Sequence, residues 1–394
     1  MPNAYRLFVL GAGFSCAAGV PLAVPLWKEI RETAAKYSKD LRAHKFNTDL
    51  ENYIAFRKDA LGEELAPEKI NFEDFIRYLD IEHYLGLRGG DTWSKEGNEG
   101  TIVTKYLIGK ILARHLTNMQ AIPDLYLDFA RRLDLHDTVI TFNYDTLLEQ
   151  ALEEVGKPYR LFPCRYETVG EFGSTVDNSR DEVVVLKMHG SIDWFDRTQF
   201  NWRIQHHARE GAKPPEDIIF SNEKELGLVP LTEGPRPDDD PLRNIYRAKN
   251  LKALYAKDFL FLATPRMLPP SNAKLLYSNG MHDFWSGMDG KGYYSYGMSI
   301  IGFSLPEQDD YLRQILYTFV TNYQRYNAKR DNLGRLKSAL TIVDYFSDAD
   351  AEKRFRERYR FVDWSKTKLL GKGFHADSLD PMFAFDFVEP PARS

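Results

Sequence analysis

Three apolar runs in this chain each end on side chains that can do chemistry. Val183-Val184-Val185-Leu186-Lys187-Met188 delivers His189 into a Gly190-Ser191 turn. Histidine is the side chain best suited to take a proton near neutral pH, and a strand end holds it more rigidly than a long loop would. Val139-Ile140-Thr141-Phe142 ends on Asn143 and Asp145, a carboxamide and a carboxylate suited to hydroxyls and water. Leu7-Phe8-Val9-Leu10 runs into Gly11-Ala12-Gly13-Phe14-Ser15-Cys16-Ala17-Ala18-Gly19-Val20-Pro21. Glycines there let a backbone approach a pyrophosphate, and a following helix turns its free N–H groups toward it. Each group also has a structural reading: His189 as a hydrogen-bonded core residue, Asp145 as a helix cap, Asn143 as a turn residue, the glycines as a bend. The Gly-x-Gly-x-x-Gly dinucleotide fingerprint of dehydrogenases is excluded, because Cys16 stands where its third glycine belongs.

The elements that must position these groups read as strands alternating with helices. Strand patterns fall at about 5–10, 137–142, 183–188, 258–263, 298–302 and 339–344, the signature of a parallel sheet covered on both faces. The expected fold is therefore α/β, a Rossmann-like parallel sheet with helices on both faces plus an inserted helical module. In such sheets ligands sit beyond the carboxyl ends of the strands, where all three turns lie. The stretch between the first two strands is far too long for one crossover helix, so the inserted module is expected there. Within it Asn71 precedes Phe72, Phe75, Ile76 and Leu79, a capped amphipathic helix, and Ile102 to Leu116 reads as another. Thr146 to Val155, closed by Gly156, reads as the helix after the second strand.

Taken in order, these segments resemble the sirtuin-like family: a Gly-Ala-Gly-x-Ser-x-x-Ala-Gly-x-Pro loop, a strand ending in Asn-x-Asp and a strand ending in His-Gly. Ser299-Ile300-Ile301-Gly302-Phe303-Ser304-Leu305-Pro306 is similar to the family's late strand with its Gly-x-Ser turn, and Leu340-Thr341-Ile342-Val343-Asp344 to its last strand. The resemblance implies a site for NAD. Gly11, Ala12, Gly13, Ser15, Ala18, Gly19, Gly302, Ser304 and Asp344 would bind the cofactor, Gly11 to Ser15 gripping the diphosphate and Ser304 and Asp344 contacting the adenosine half. Asn143, His189 and Asp145 would be catalytic. Asn143 would hydrogen-bond the nicotinamide-side ribose or the attacking water, His189 would accept a proton from a ribose hydroxyl or from that water, and Asp145 would orient the nicotinamide or its neighbours.

Departures from the family are equally informative. Its protein-deacylating members carry Gln where this chain has Phe142, a Phe-Arg pair where it has Leu22 to Trp27, and two Cys-x-x-Cys pairs for a structural zinc. Cys16 and Cys164 are the whole cysteine complement, and four thiolates cannot be assembled from two. No metal is expected. The chain resembles the zinc-less, divergent sirtuin-like branch of prokaryotic antiviral defence, whose members are implied to hydrolyse NAD to nicotinamide and ADP-ribose in abortive infection. That resemblance also implies a homo-oligomer, and a partner such as a HerA-type ATPase or a short Argonaute. The alternatives are a non-catalytic NAD or ADP-ribose sensor and an NAD-dependent protein deacylase.

The expected organisation is a NAD-binding core over 1–35, 120–200 and 250–360, a helical module over 36–119, a loop-rich insert replacing the zinc ribbon over 201–249, and a docking tail over 361–394. Residues 86–101 read as a surface loop, as does the Pro- and Asp-rich 209–245. The tail's aromatics, among them Trp364, Phe374, Phe383, Phe385 and Phe387, suit docking on the body or on a neighbouring subunit. At 394 residues, 43% hydrophobic and 13% aromatic, the chain can bury a large core. A formal charge of −5 argues against a broad nucleic-acid surface. No segment has the apolar length of a membrane span, the start lacks a signal pattern, and the few cysteines suit a reducing compartment, so a cytoplasmic protein without membrane contact is expected.

Overall fold

The computed structural model describes residues 5–37, 41–87, 97–170, 173–256, 264–268, 295–305, 310–325 and 337–384. Among the described residues, seven strands form one sheet: β1 (Arg6–Leu10), β2 (Thr138–Thr141), β3 (Tyr159–Arg160), β4 (Val183–Lys187), β5 (Gly297–Ile301), β6 (Leu340–Val343) and β7 (Thr367–Leu370). Their order is β7-β6-β5-β1-β2-β4-β3, and every pairing is parallel. The fold is α/β. Strands β1, β2, β4, β5 and β6 are buried at every position, as unbroken apolar runs must be when helices cover both faces.

β1 lies mid-sheet. The chain builds β2 to β4 on one side of it, then returns to build β5 to β7 on the other. Connections therefore part company at β1, and a crevice opens beyond the carboxyl ends of β5, β1 and β2.

The helical module packs along one rim of this crevice. Helices Ala23–Lys36, Leu41–Leu61, Phe72–Tyr84 and Glu99–Thr117 contact one another, so the module begins near residue 23 rather than at 36. Asn71 caps its helix, accepting from the Glu73 N–H at 3.0 Å. The helix expected over Ile102–Leu116 is not amphipathic. It starts at Glu99, within the expected 86–101 loop, and is buried on nearly all sides because it is the middle of the bundle.

Two other expectations change. The 201–249 segment is more ordered than a loop: helix Thr198–Arg209 runs into it, and strands Leu228–Pro230 and Ile245–Ala248 join Trp194–Asp196 in a small antiparallel sheet. The region from 361 does more than dock: it supplies strand β7 and helix Ala376–Phe383 to the core. Phe374 stacks on Phe14 at 4.8 Å and Phe383 lies 5.2 Å from Phe8, which fixes the first strand and its turn from below. The strand expected at 258–263, and Phe385 and Phe387, lie outside the described residues.

Candidate active site

The turn after β1 is built for close approach. Gly13 N–H donates to the Gly302 carbonyl at 2.9 Å and Gly11 N–H to that of Ile301 at 2.9 Å, so the turn after β1 lies directly on the turn after β5. A Cβ on Gly13 would sit 2.6 Å from the Gly302 Cα, and Gly302 itself has φ +59°. Glycine is required on both sides of this contact. Because the Gly11, Gly13 and Phe14 amides are engaged within the protein, the turn's exposed face is presented at Ala12 rather than along Gly11 to Ser15 as expected.

Asn143 ties the turn after β2 to the same place. Its Nδ2 donates to the Gly11 carbonyl at 3.0 Å and to Ser15 Oγ at 3.2 Å. The carboxamide is thereby oriented, with Oδ1 left as its acceptor. Asp145 lines the cavity, but its Oδ1 accepts from the Leu147 N–H at 3.0 Å, the helix-starting role its local sequence allowed. Behind it Lys187, fully buried at the end of β4, donates to the Asp145 carbonyl and pairs with Glu149 at 2.8 Å. Burial pushes the Glu149 carboxyl up, and the Lys187 ammonium pulls it back.

His189 follows Lys187 by two residues and faces the cavity. Its Nε2 lies 2.9 Å from the Tyr311 hydroxyl, and its ring centroid 5.1 Å from that of Phe142. Phe142 in turn stacks on Phe303 at 4.7 Å. The position where deacylases carry glutamine is thus an aromatic wall beside the imidazole. Gly190, at φ +74°, would place a Cβ 1.9 Å from the Arg266 carbonyl. The strand end therefore folds tightly against 264–268, where Ser191 N–H donates to the Arg266 carbonyl at 3.1 Å and Leu268 N–H to that of His189 at 2.9 Å.

The other end of the crevice lies over β5 to β7. Ser304 is exposed and Asp344 half-buried. Burial raises the Asp344 carboxyl above the ordinary range, while the Tyr345 N–H, donating at 2.8 Å, and the Arg358 guanidinium act against it.

All of this encloses one cavity of about 1050 Å³, at the large end of the roughly 300–1,000 Å³ usual for small-molecule sites. Gly11, Ala12, Gly13, Asn143, Asp145, His189, Gly302, Ser304 and Asp344 line it, and residues 68–73 with Leu112 bring the helical module to its wall. Ser15, Ala18 and Gly19 do not line it. Ser15 is buried beneath the turn, holding Asn143, and Gly19 closes the short helix by donating to the Cys16 carbonyl; Cys16, Ala17, Val20 and Pro21 face the cavity instead. Tyr311 and Lys187 went unread. Tyr311 meets His189 only through tertiary structure, and Lys187 was hidden inside an apolar strand pattern.

Among the described residues there is no cluster of three or more His, Cys, Asp or Glu positioned to hold a metal, and no helix long and apolar enough to cross a membrane.

Residues 137–262, which contain β2, β3, β4 and both polar turns, match the family model of the SIR2-like domain. No curated protein matches the chain. Similar solved structures include one from a study of sirtuin substrate affinity, at 13% identity and TM-score 0.30, covering 96% of this chain and 93% of that one. Sir2Tm bound to a propionylated peptide is similar at 12% identity and TM-score 0.28, covering 94% and 88%. A Sir2 enzyme from a study of mechanism and regulation is similar at 13% and 0.28, covering 97% and 91%. At such loose superposition the fold is read from the strand order itself.

Proposed function

We propose that this protein is an NAD+ glycohydrolase, splitting NAD+ and water into nicotinamide, ADP-ribose and a proton. The observation that carries the reading is the meeting of Asn143 and His189 in one cavity over the Gly11–Gly13 turn, within a segment that matches the SIR2-like domain. Breaking the nicotinamide–ribose bond passes through an oxocarbenium-like state, so the protein's work is to hold the sugar, shield it and present water to C1′.

In this reading the diphosphate lies against the turn at Ala12, with the nicotinamide ribose over β2 and β4 and the adenosine over β5 to β7. Asn143, oriented by Gly11 and Ser15, offers Oδ1 to a ribose hydroxyl or to the attacking water. His189 accepts the proton that water loses as its oxygen bonds to C1′ and the C1′–N bond breaks; neutral nicotinamide departs. Tyr311, 2.9 Å from Nε2, holds the imidazole in place. Phe142 and Phe303 exclude bulk water from that side. Asp145 stabilises the turn that carries Asn143.

The test is release of nicotinamide from NAD+, followed with and without an acyl-lysine peptide. Peptide-independent release supports the reading, whereas release only with peptide would favour the deacylase, and binding of NAD+ or ADP-ribose without turnover in any assembly the sensor. We extend the proposal to its context: a cytoplasmic antiviral effector, assembled as an oligomer and gated by a partner such as a HerA-type ATPase. Measuring NAD+ loss with the protein alone and with the product of a neighbouring open reading frame tests that part.

A further inference from the structure

Arg358 and Lys372 both face the cavity beside Asp344. Lys372 is placed there by the backbone: Tyr345 bridges to Lys372, and Gly373 N–H donates to the Asp344 carbonyl at 2.8 Å. Arg358 ends helix Ala349–Arg358 and acts on the Asp344 carboxyl. Its neighbour on the helix, Arg356, is paired with Glu352 at 2.8 Å. Among the described residues, neither Arg358 nor Lys372 has an ion pair, and Arg358 Nε is buried without a hydrogen-bond partner. Two cations thus flank one carboxylate at a single end of the cavity.

In dinucleotide sites a carboxylate accepts the adenosine-ribose 2′-hydroxyl, whereas an arginine accommodates a 2′-phosphate. This cavity holds both devices. Resting on the reading of the site as one for NAD, we propose that its adenosine end is a phosphomonoester subsite, with Arg358 and Lys372 receiving a 2′-phosphate, so that NADP+ belongs to the substrate class. Arg358 supplies planar donors matched to phosphate oxygens, and the exposed Lys372 a mobile point charge.

Calorimetric titration of the whole protein with ADP-ribose and with its 2′-phosphate tests this. The phosphorylated ligand is expected to bind at least as tightly, its advantage shrinking as salt is raised. Arg358→Gln and Lys372→Gln are each expected to lower the ratio of the two affinities roughly tenfold, the scale of one charge-assisted contact. Because Lys372 is exposed, its variant does not hinge on refolding the core. Binding of ADP-ribose with exclusion of its 2′-phosphate, or a ratio that neither variant moves, would overturn the subsite while leaving the NAD reading intact. Failure of both ligands to bind would overturn the NAD reading itself.

Discussion

The two ends of the cavity are built by opposite means. Over β2 and β4 the polar groups are buried and tied to the protein: Asn143 to Gly11 and Ser15, Asp145 to Leu147, His189 to Tyr311, Lys187 to Glu149. His189 is 5% exposed, whereas Tyr345 at the other end is 70% exposed, and Ser304 and Lys372 are open to solvent beside it. A site that must hold reacting atoms in one geometry gains from locked side chains. A site that must only recognise a ligand tolerates groups that settle on binding. In the proposed reading bond breaking falls to the β2–β4 end and recognition to the β5–β7 end, and substitutions at the two should fail in different ways.

The largest effect is expected at the locked end. His189→Ala should lower turnover by ~10²–10⁴-fold, the usual worth of general-base assistance, with Asn143→Ala at least as severe. Melting temperature and ADP-ribose affinity check that neither loss is unfolding. Nicotinamide release by His189→Ala at the parent rate would dissolve the contrast between the ends.

Next comes the buried pair that props this end. Lys187→Met leaves Glu149 buried without its partner, and denaturant unfolding should show a loss of about 3–5 kcal/mol. The double variant Lys187→Met/Glu149→Leu should recover most of that stability. Turnover should stay depressed, because the Asp145 carbonyl still lacks its donor and the Asn143 turn is less well held. Full recovery of both would make the pair a stability element alone.

A smaller loss belongs to the junction between the ends. Gly13→Ala must part the turns after β1 and β5, whose atoms would stand 2.6 Å from the new Cβ. Forced overpacking of this kind costs roughly 1–3 kcal/mol. The KM for NAD+ should rise more than kcat falls, since the turn proposed to hold the diphosphate moves while His189 does not.

How legible these regions were follows from the range of their contacts. The central strands were readable because long apolar runs with polar ends are a local pattern, and Asn143, His189 and Asp344 could be placed at strand ends without knowing what they touch. β3, two residues long, and β7, Thr-Lys-Leu-Leu and only half-buried at its positions, carry no such pattern; sheet pairing alone makes them strands. Ser15 sits in a local pattern that suits a phosphate ligand, whereas its hydrogen bond from Asn143, far away in the chain, is no part of that pattern. Tyr311 was invisible for the same reason. Strand ends are encoded locally, whereas the hydrogen bonds that lock or free them are not.

Asp344 offers the smallest and most discriminating test, because stability and binding should move in opposite directions. Its raised pKa means the native protein holds that proton more tightly than the unfolded chain does. Above its unfolded pKa the buried charge therefore costs stability, increasingly as pH rises toward the folded value. Asp344→Asn removes that cost and keeps an oxygen for the Tyr345 N–H, so the variant should melt higher than the parent at neutral pH and lose that advantage in acid. The same change exchanges one ribose-hydroxyl acceptor for a weaker one, and ADP-ribose affinity should fall by roughly tenfold or less. In the parent that affinity should weaken as pH falls through a range above that of an ordinary carboxylate, and the acid limb should be absent from the variant. A site residue whose removal stabilises the fold is one retained for its ligand; a variant that melted lower and bound ADP-ribose normally would instead make Asp344 part of the scaffold, and the recognition end would have to be sought elsewhere along the crevice.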